Sequence, residues 1–281
     1  MIQQLSGRLG NQLFQWAFAH VMAVHYGSRV QLFMDSAHAN PVRGDDVYSH
    51  IKPCEHTEII GHKNLTGLLI KNLDRAFTVS KSLTLSVEGR FKMIRTRNSY
   101  IIPILPNTQP TIITGFFINS KSVEAIENFA FRELESQIEQ IEIPLRLPKR
   151  YQFMHIRRGD YATSSTTYGL LGEAYYAKNR DFDLPLIIGT DDVNGAASFI
   201  RELKADYVFS PSNSSAWQTL RIMAMAESLV LANSTLSWWG GFLASNRGNS
   251  VFSPTPFYKD DLHNNDALQY KKFTKVKSEF L

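Results

Sequence analysis

Within the nine residues FMHIRRGDY, Phe153 to Tyr161, the chain places His155, Arg157, Arg158 and Asp160 directly after a short apolar run. Two guanidinium groups, an imidazole and a carboxylate at the end of what reads as a buried strand need partners or a ligand. A guanidinium fork matches two phosphate oxygens, does not lose its proton and stabilises charge that grows as a phosphate departs. On a strand, His155 and Arg157 share a face while Arg158 points the other way. One arginine can therefore face a ligand while the other braces the loop against Asp160. An Arg–Asp clasp with no ligand is the competing account. It explains one arginine, but not the pair plus the imidazole.

Two further clusters have the same character. Asn233, Ser234, Thr235 and Ser237 in ANSTLS open an apolar stretch that reads as a helix, where hydroxyls and free backbone N–H groups make a site for phosphate. Helix capping alone would need only one of them. The dyad Asp191–Asp192 in IIGTDD admits three readings: a capping pair, a metal site, or a carboxylate that accepts from a base or ribose. Metal is the weakest, because the only D-x-D triplet, DFD at Asp181, precedes a strand instead of following it. Guanine presents adjacent N1–H and N2–H donors, and a carboxylate suits both. The step WWGG at Trp238 reads as helix-to-sheet packing.

The elements that must position these groups follow from periodicity. Ile2–Leu5 reads as a strand, Leu13 to Met22 carries helical spacing stopped at Gly27, and RVQLFMD reads as a strand ending on Asp35. Residues 36–107 have poor periodicity and predict irregular structure with short helices. TIITGFF predicts a strand and SKSVEAIENFAFRELES a helix, and the Pro-rich, basic IPLRLPKR predicts an interdomain linker. Beyond it, YQFMHI, LPLIIGT, DYVFS, VLAN and SVFSP read as strands, with helices at SFIREL, WQTLRIMAMAESL and STLSWWGGFLA. The fold class expected is α/β with a doubly wound C-terminal half, and nearly every polar cluster falls at the carboxyl end of a strand, where such sheets bind ligands. The basic tail YKKFTKVKSEF is expected to dock.

The 281 residues suit two lobes, expected at 1–148 and 149–281. With 43% hydrophobic and 20% charged residues the chain has ample core and no case for global disorder. A charge of +4 suits an anionic small ligand, a membrane surface or nucleic acid, and so excludes none of them. Aromatic and basic residues are not interleaved, which argues against nucleic acid. The single cysteine, Cys54, excludes an internal disulfide, and no segment approaches a membrane span or a signal peptide. The sequons at Asn64 and Asn233 read as chance without a secretory signal. Phosphate-loop and dinucleotide glycine patterns, zinc motifs and the serine-hydrolase elbow are absent from the sequence.

Taken in order, GRLGNQLFQWAFA, HIRRGDY, GTDD and NSTLSWWGGFLA resemble the motifs of the alpha-1,2-fucosyltransferases of glycosyltransferase family 11. The resemblance spans almost the whole chain, and its H-x-R-R-x-D core is shared with alpha-1,6- and protein O-fucosyltransferases. It implies a GT-B arrangement of two Rossmann-like domains facing a cleft, an acceptor-side N-terminal domain, and GDP-fucose held chiefly by the C-terminal one. It implies transfer of L-fucose with inversion to the 2-hydroxyl of a galactoside, without a required metal. By that correspondence Arg157 resembles the ligand of the GDP diphosphate and Arg158 its support. His155 and the Asp191–Asp192 pair resemble the guanosine-binding groups, and Ser234 and Thr235 lie where related enzymes bind phosphate. Asn11 matches a position facing donor phosphate and acceptor. Family members often carry glycine where Ser6 stands, and the usual FSDD is IGTDD here; neither departure removes a charge the chemistry needs. Many animal members begin with a membrane anchor, whereas this chain starts almost at the first motif, as bacterial ones do.

Asp35, at a strand end expected to face the cleft, is the candidate general base. A galactose-terminated, lipid-linked O-antigen unit is the expected acceptor, and the cytoplasm, or the cytoplasmic face of the membrane, the expected location. A non-catalytic nucleotide-sugar or glycan-binding protein is the rival from another class, and a metal-dependent transferase the second rival.

Overall fold

The computed structural model describes residues 1–34, 46–60, 84–86, 92–95, 100, 102–103, 105, 107–143, 146–260 and 265–281. Asp35 lies outside them. The chain divides into two compact units, Met1–Ala130 and Phe131–Leu281, each with one six-stranded sheet. The α/β class expected from the motif pattern is what the chain adopts. The division falls inside a helix, upstream of the 148/149 boundary expected from the basic linker.

In the first unit β1 (Ile2–Leu5) leads through a tight loop into α1 (Leu9–Tyr26), then β2 (Val30–Met34) and β3 (Thr57–Ile60). Helix α1 is buried on most of its surface, as its run of apolar residues requires. Gly27 ends it in the left-handed conformation at φ 58°, and the Ser28 amide reaches back to the Ala23 carbonyl at 3.0 Å. Strands β4 (Thr84–Ser86), β5 (Lys92–Arg95) and β6 (Ile112–Thr114) complete the order β3-β2-β1-β6-β5-β4. The described part of 36–107 thus contributes strands and a single 3-10 turn at Val47–Ser49, where short helices were expected. Strands of three or four residues are too short to show a period. TIITGFF likewise ends as a strand at Thr114, because Gly115 (φ 140°) and Phe117 (φ 51°) turn the backbone away. The predicted helix after it is two, α2 (Ser120–Glu124) and α3 (Glu127–Ile138).

The second unit begins its sheet with β7 (Gln152–Ile156), buried at every residue as a strand covered on both faces must be. The short α4 (Gly159–Thr163) and α5 (Glu173–Ala177) follow, then β8 (Leu186–Thr190), α6 (Ala197–Glu202), β9 (Tyr207–Phe209) and α7 (Ala216–Met225). A reciprocal capping box of Ser215 and Gln218 starts α7. Then come β10 (Ser228–Val230), α8 (Thr235–Asn246), β11 (Ser250–Thr255) and β12 (Thr274–Lys277). The order is β12-β11-β10-β7-β8-β9, all parallel. From β7 the chain winds outward through β8 and β9, then returns to the other side of β7 and winds out again. The crevice between the carboxyl ends of β7 and β10 is therefore the topological switch point, the place where such sheets take ligands.

The basic tail docks, as expected, but as strand β12 beside β11, so SVFSP does not close the sheet. Tyr270 and Phe273 pack about Trp238, whose indole N–H donates to the Leu268 carbonyl at 2.9 Å. Trp238 and Trp239 are fully buried, which bears out packing as the role of WWGG.

Gly240 shows how closely α7 and α8 approach. A Cβ there would lie 2.7 Å from the Met223 Cβ and 2.8 Å from its Sδ, and Met223 is itself fully buried. Helix propensity favours alanine over glycine by about 1 kcal/mol, but overpacking costs roughly 1–3 kcal/mol. The steric term should win, because the obstructing Cβ is fixed to its helix. Gly240→Ala is expected to lower the urea midpoint, with a net loss of about 1 kcal/mol; an unchanged or higher midpoint would mean the helices can part.

Candidate functional site

Strand β7 delivers His155 and Arg157 to the switch point, and β8 delivers Asp191 beside them. Arg157 donates from Nη2 to Asp160 Oδ1 at 2.6 Å, and its Nη1 lies 3.0 Å from Asp191 Oδ2. Its guanidinium also lies over the Tyr161 ring, 5.2 Å from the centroid. The other Asp191 oxygen accepts from the backbone amides of Arg158 (2.8 Å) and Gly159 (3.2 Å). Asp191 is thus the keystone of the turn, and the clasp that the sequence reading set against a ligand role is present. It does not exclude that role, since Arg157 Nε is buried without a hydrogen-bond partner among the described residues.

Arg158 turns the other way, as strand geometry predicts. Its Nε donates to the Gly195 carbonyl at 3.2 Å and its guanidinium lies 4.7 Å from the centroid of Phe199. It braces the loop through Gly195 and not, as expected, against Asp160, which pairs with Arg157 instead. Asp192 accepts from the Gly195 amide at 2.9 Å, closing the turn before α6. Both acids of the dyad therefore do capping work through Oδ1, and Asp191 holds Arg157 with its other oxygen.

His155 is buried, and its Nδ1 has no hydrogen-bond partner among the described residues. Burial first, then the Arg157 charge, push its pKa down to about 4, with Asp191 opposing. The imidazole is therefore neutral at pH 7.

Across the switch point, β10 ends at Val230, earlier than VLAN suggests, so Leu231 to Ser234 form the loop that enters α8. The four polar residues there divide their duties. Ser237 Oγ accepts from the Ala232 amide at 2.9 Å. The Asn233 amide donates to the carbonyls of Tyr168 (2.8 Å) and Gly169 (3.0 Å). With both its hydrogens engaged, Asn233 is a brace for that segment and not the anion donor expected of it. Ser234 occupies the N-cap position in extended conformation but makes no side-chain cap bond. Its hydroxyl stands beside the first turn of the 12-residue α8, which Thr235 begins, the kind of helix N-terminus that suits an anion.

Tyr161 and Tyr168 were not singled out by the sequence reading. Tyr161 donates to the Asn233 carbonyl at 3.0 Å, so it ties the β7 loop to the β10 loop. Its ring stacks on Tyr168 at 4.6 Å, and Tyr168 meets Tyr258 at 5.6 Å. The tyrosine inside HIRRGDY carried no periodic signal that marked this role.

Asn11 belongs to the first unit, in the first turn of α1. Gly7 (φ 78°) leaves no room for a side chain: a Cβ would lie 2.9 Å from Asn11 Nδ2 and 3.0 Å from Phe116 Cε1. Gln12 donates to the Gly7 carbonyl at 2.8 Å. Ser6 pairs with Gln15 through its amide (2.9 Å) and its hydroxyl (3.3 Å). The serine in place of the usual glycine thus has a local partner. Among the described residues, no group of three or more His, Cys, Asp or Glu is placed to hold a metal ion, and no helix is long and apolar enough to cross a membrane.

Comparison with known proteins gives three results. The sequence profile described as glycosyl transferase family 11 matches residues 3–275. The chain is 23% identical to an alpha-1,2-colitosyltransferase of Escherichia coli, over 96% of this chain and 97% of that one. It is 24% identical to the O-antigen biosynthesis glycosyltransferase WbnK of Escherichia coli, over 92% and 95%. Among solved structures, NodZ alpha-1,6-fucosyltransferase soaked with GDP-fucose aligns at a TM-score of 0.47 with 10% identity, over 87% of this chain and 92% of that one. ADP-heptose lps heptosyltransferase II of E. coli aligns at 0.48 with 8% identity, over 98% and 89%.

Proposed function

The chain belongs to glycosyl transferase family 11, and from that premise we propose that it transfers L-fucose from GDP-fucose, with inversion and without a metal, to the 2-hydroxyl of a terminal galactoside. O-antigen or surface-polysaccharide synthesis, in the cytoplasm or at the cytoplasmic face of the membrane on a lipid-linked unit, is the setting proposed. The observation that carries this reading is at the switch point. Arg157 follows the end of β7, and Ser234, which makes no side-chain cap bond, follows the end of the neighbouring β10 at the start of α8, so the two lie on the loops that flank the switch point. A diphosphate fits that pair of features.

In the proposed reaction the acceptor oxygen forms a bond to the anomeric carbon while the bond from that carbon to the phosphate oxygen breaks. The electron pair leaves on the β-phosphate of GDP. Arg157, the Ser234 hydroxyl and the first turn at Thr235 meet that charge. His155 and the Asp191–Asp192 corner are the proposed guanosine side, with the free ring nitrogen of His155 the direct contact. Asp191, engaged within the loop, serves by positioning Arg157. Asn11 is proposed to face donor phosphate and acceptor, and Asp35 to take the acceptor proton.

The test is release of GDP from GDP-fucose with galactose-terminated disaccharides and EDTA present. Acceptor-dependent release that survives EDTA is expected. GDP binding with no release from any acceptor would favour a binding protein, and loss of release in EDTA a metal-dependent transferase. In the same assay Asp35→Ala should lose most turnover; activity within a few-fold of the parent would dispose of Asp35 as the base. The colitosyltransferase relative favours one second reading, a different deoxy-sugar on the same nucleotide, and a GDP-colitose arm in the assay separates the two.

A further inference from the structure

Strands β7 and β10 stay in register only as far as Met154 and Val230. The alternation of backbone groups along a strand sets what would come next. The Gln152 amide reaches the Pro185 carbonyl on the β8 side, so His155, three residues on, turns its carbonyl towards β10. The Leu231 amide reaches the Phe252 carbonyl of β11, so Ala232 turns its own amide towards β7. One more rung would therefore join the Ala232 amide to the His155 carbonyl and close the crevice by a step. Both ends of that rung are taken by side chains instead. Ser237 Oγ accepts from the Ala232 amide at 2.9 Å, and the Tyr176 hydroxyl donates to the His155 carbonyl at 3.0 Å.

The neighbouring tyrosine does the same on the other wall. Continued pairing of β10 with β11 would set the Leu231 carbonyl against the backbone nitrogen of Pro254, and proline has no N–H. The Tyr175 hydroxyl supplies the donor at 2.9 Å, with the Phe252 carbonyl 3.4 Å from it. His155 and both tyrosines are buried, so a carbonyl deprived of its hydroxyl is left to find a donor within the protein. We propose that Tyr175 and Tyr176, adjacent on α5, are positioning residues that hold the two walls of the switch point apart at the width a nucleoside diphosphate needs. This rests on the nucleotide-sugar reading of the site. Tyr176 carries the larger share, since the carbonyl it holds belongs to His155, two residues before Arg157, and has an alternative partner in the Ala232 amide.

Tyr176→Phe keeps the ring and removes the hydroxyl. The His155 carbonyl then competes with Ser237 for the Ala232 amide, the closed rung gains population, and GDP must reopen it. GDP should bind roughly 3–10-fold more weakly than to the parent. Tyr151→Phe is the control, because it too loses a buried hydroxyl bond, to the Ile222 carbonyl at 2.7 Å, but just before the opposite end of β7. Titration calorimetry with GDP reads affinity, and urea midpoints read stability. Both variants should lose stability, and only Tyr176→Phe should lose affinity. Unchanged GDP binding by a folded Tyr176→Phe overturns the inference, and an equal loss of affinity in Tyr151→Phe overturns it in favour of a purely structural role. If Tyr176→Phe does not fold, Tyr175→Phe carries the same test with the same expected loss. A parent that binds no GDP would instead overturn the donor-site reading, so the two failures are distinguishable.

Discussion

Alanine at Arg157 is expected to lower acceptor-dependent GDP release on the order of 10²–10³-fold, because in the proposed reaction it removes a donor that meets the charge growing on the departing phosphate. The loss should fall mainly on kcat, since a contact that strengthens as the phosphate departs contributes less to ground-state binding. Stability is the confounding quantity. Arg157 is 13% exposed on its side chain and neutralises the little-exposed Asp191, and removing one partner of such a pair can cost about 3–5 kcal/mol. Here the loss should be smaller, because Asp191 keeps the backbone amides of Arg158 and Gly159. Arg157→Lys separates the effects: it retains the charge but loses the fork that reaches Asp160 and Asp191 together. A folded Arg157→Ala protein with turnover within a few-fold of the parent would remove Arg157 from the mechanism.

Acidification should destabilise the protein through His155. Its folded pKa of about 4 lies below the ordinary value of 6.5, so between those two pH values the unfolded chain binds a proton that the folded chain refuses. Stability contributed by the neutral imidazole is complete above pH 6.5 and is lost as pH falls towards 4. At about 1.4 kcal/mol per unit the whole window is worth about 3 kcal/mol. The charged groups facing the ring are Arg157, which deepens the depression, and Asp191, which opposes it. Urea midpoints of the parent and of His155→Gln across pH 4–7 give the test. Other acids titrate in both proteins and cancel in the difference. A parent curve as flat as the variant's in this window would mean that His155 charges freely in the fold.

Much of the architecture is legible in the residues themselves. Gly27 stops α1 because glycine takes the left-handed cap freely, and YQFMHI reads as a strand because Phe153, Met154 and Ile156 make a short apolar run. HIRRGDY and NSTLS are conspicuous because groups so costly to desolvate are rarely crowded at strand ends without partners. The strands between residues 36 and 107 are not legible, since pairing, and not local pattern, makes three- or four-residue segments into strands. Nor is the tail's place as β12, which depends on an open edge beside β11.

Within the candidate site the division is sharper. Residue types alone point to the loops after β7 and before α8 as the candidate phosphate site, because guanidinium forks and helix N-termini suit that ligand. The assignment of duties belongs to the tertiary structure. Asn233 and Ser234 are neighbours of similar polarity, yet one braces Tyr168 and Gly169 while the other leaves its helix uncapped. Asp160 and Asp191 both pair with Arg157, yet Asp191 also holds the backbone amides of Arg158 and Gly159 and is far less exposed. Hydrogen-bond partners and exposure are set by which backbone atoms the winding of β7, β8 and β10 brings within about 3 Å of each side chain, and a linear pattern carries no record of those distances.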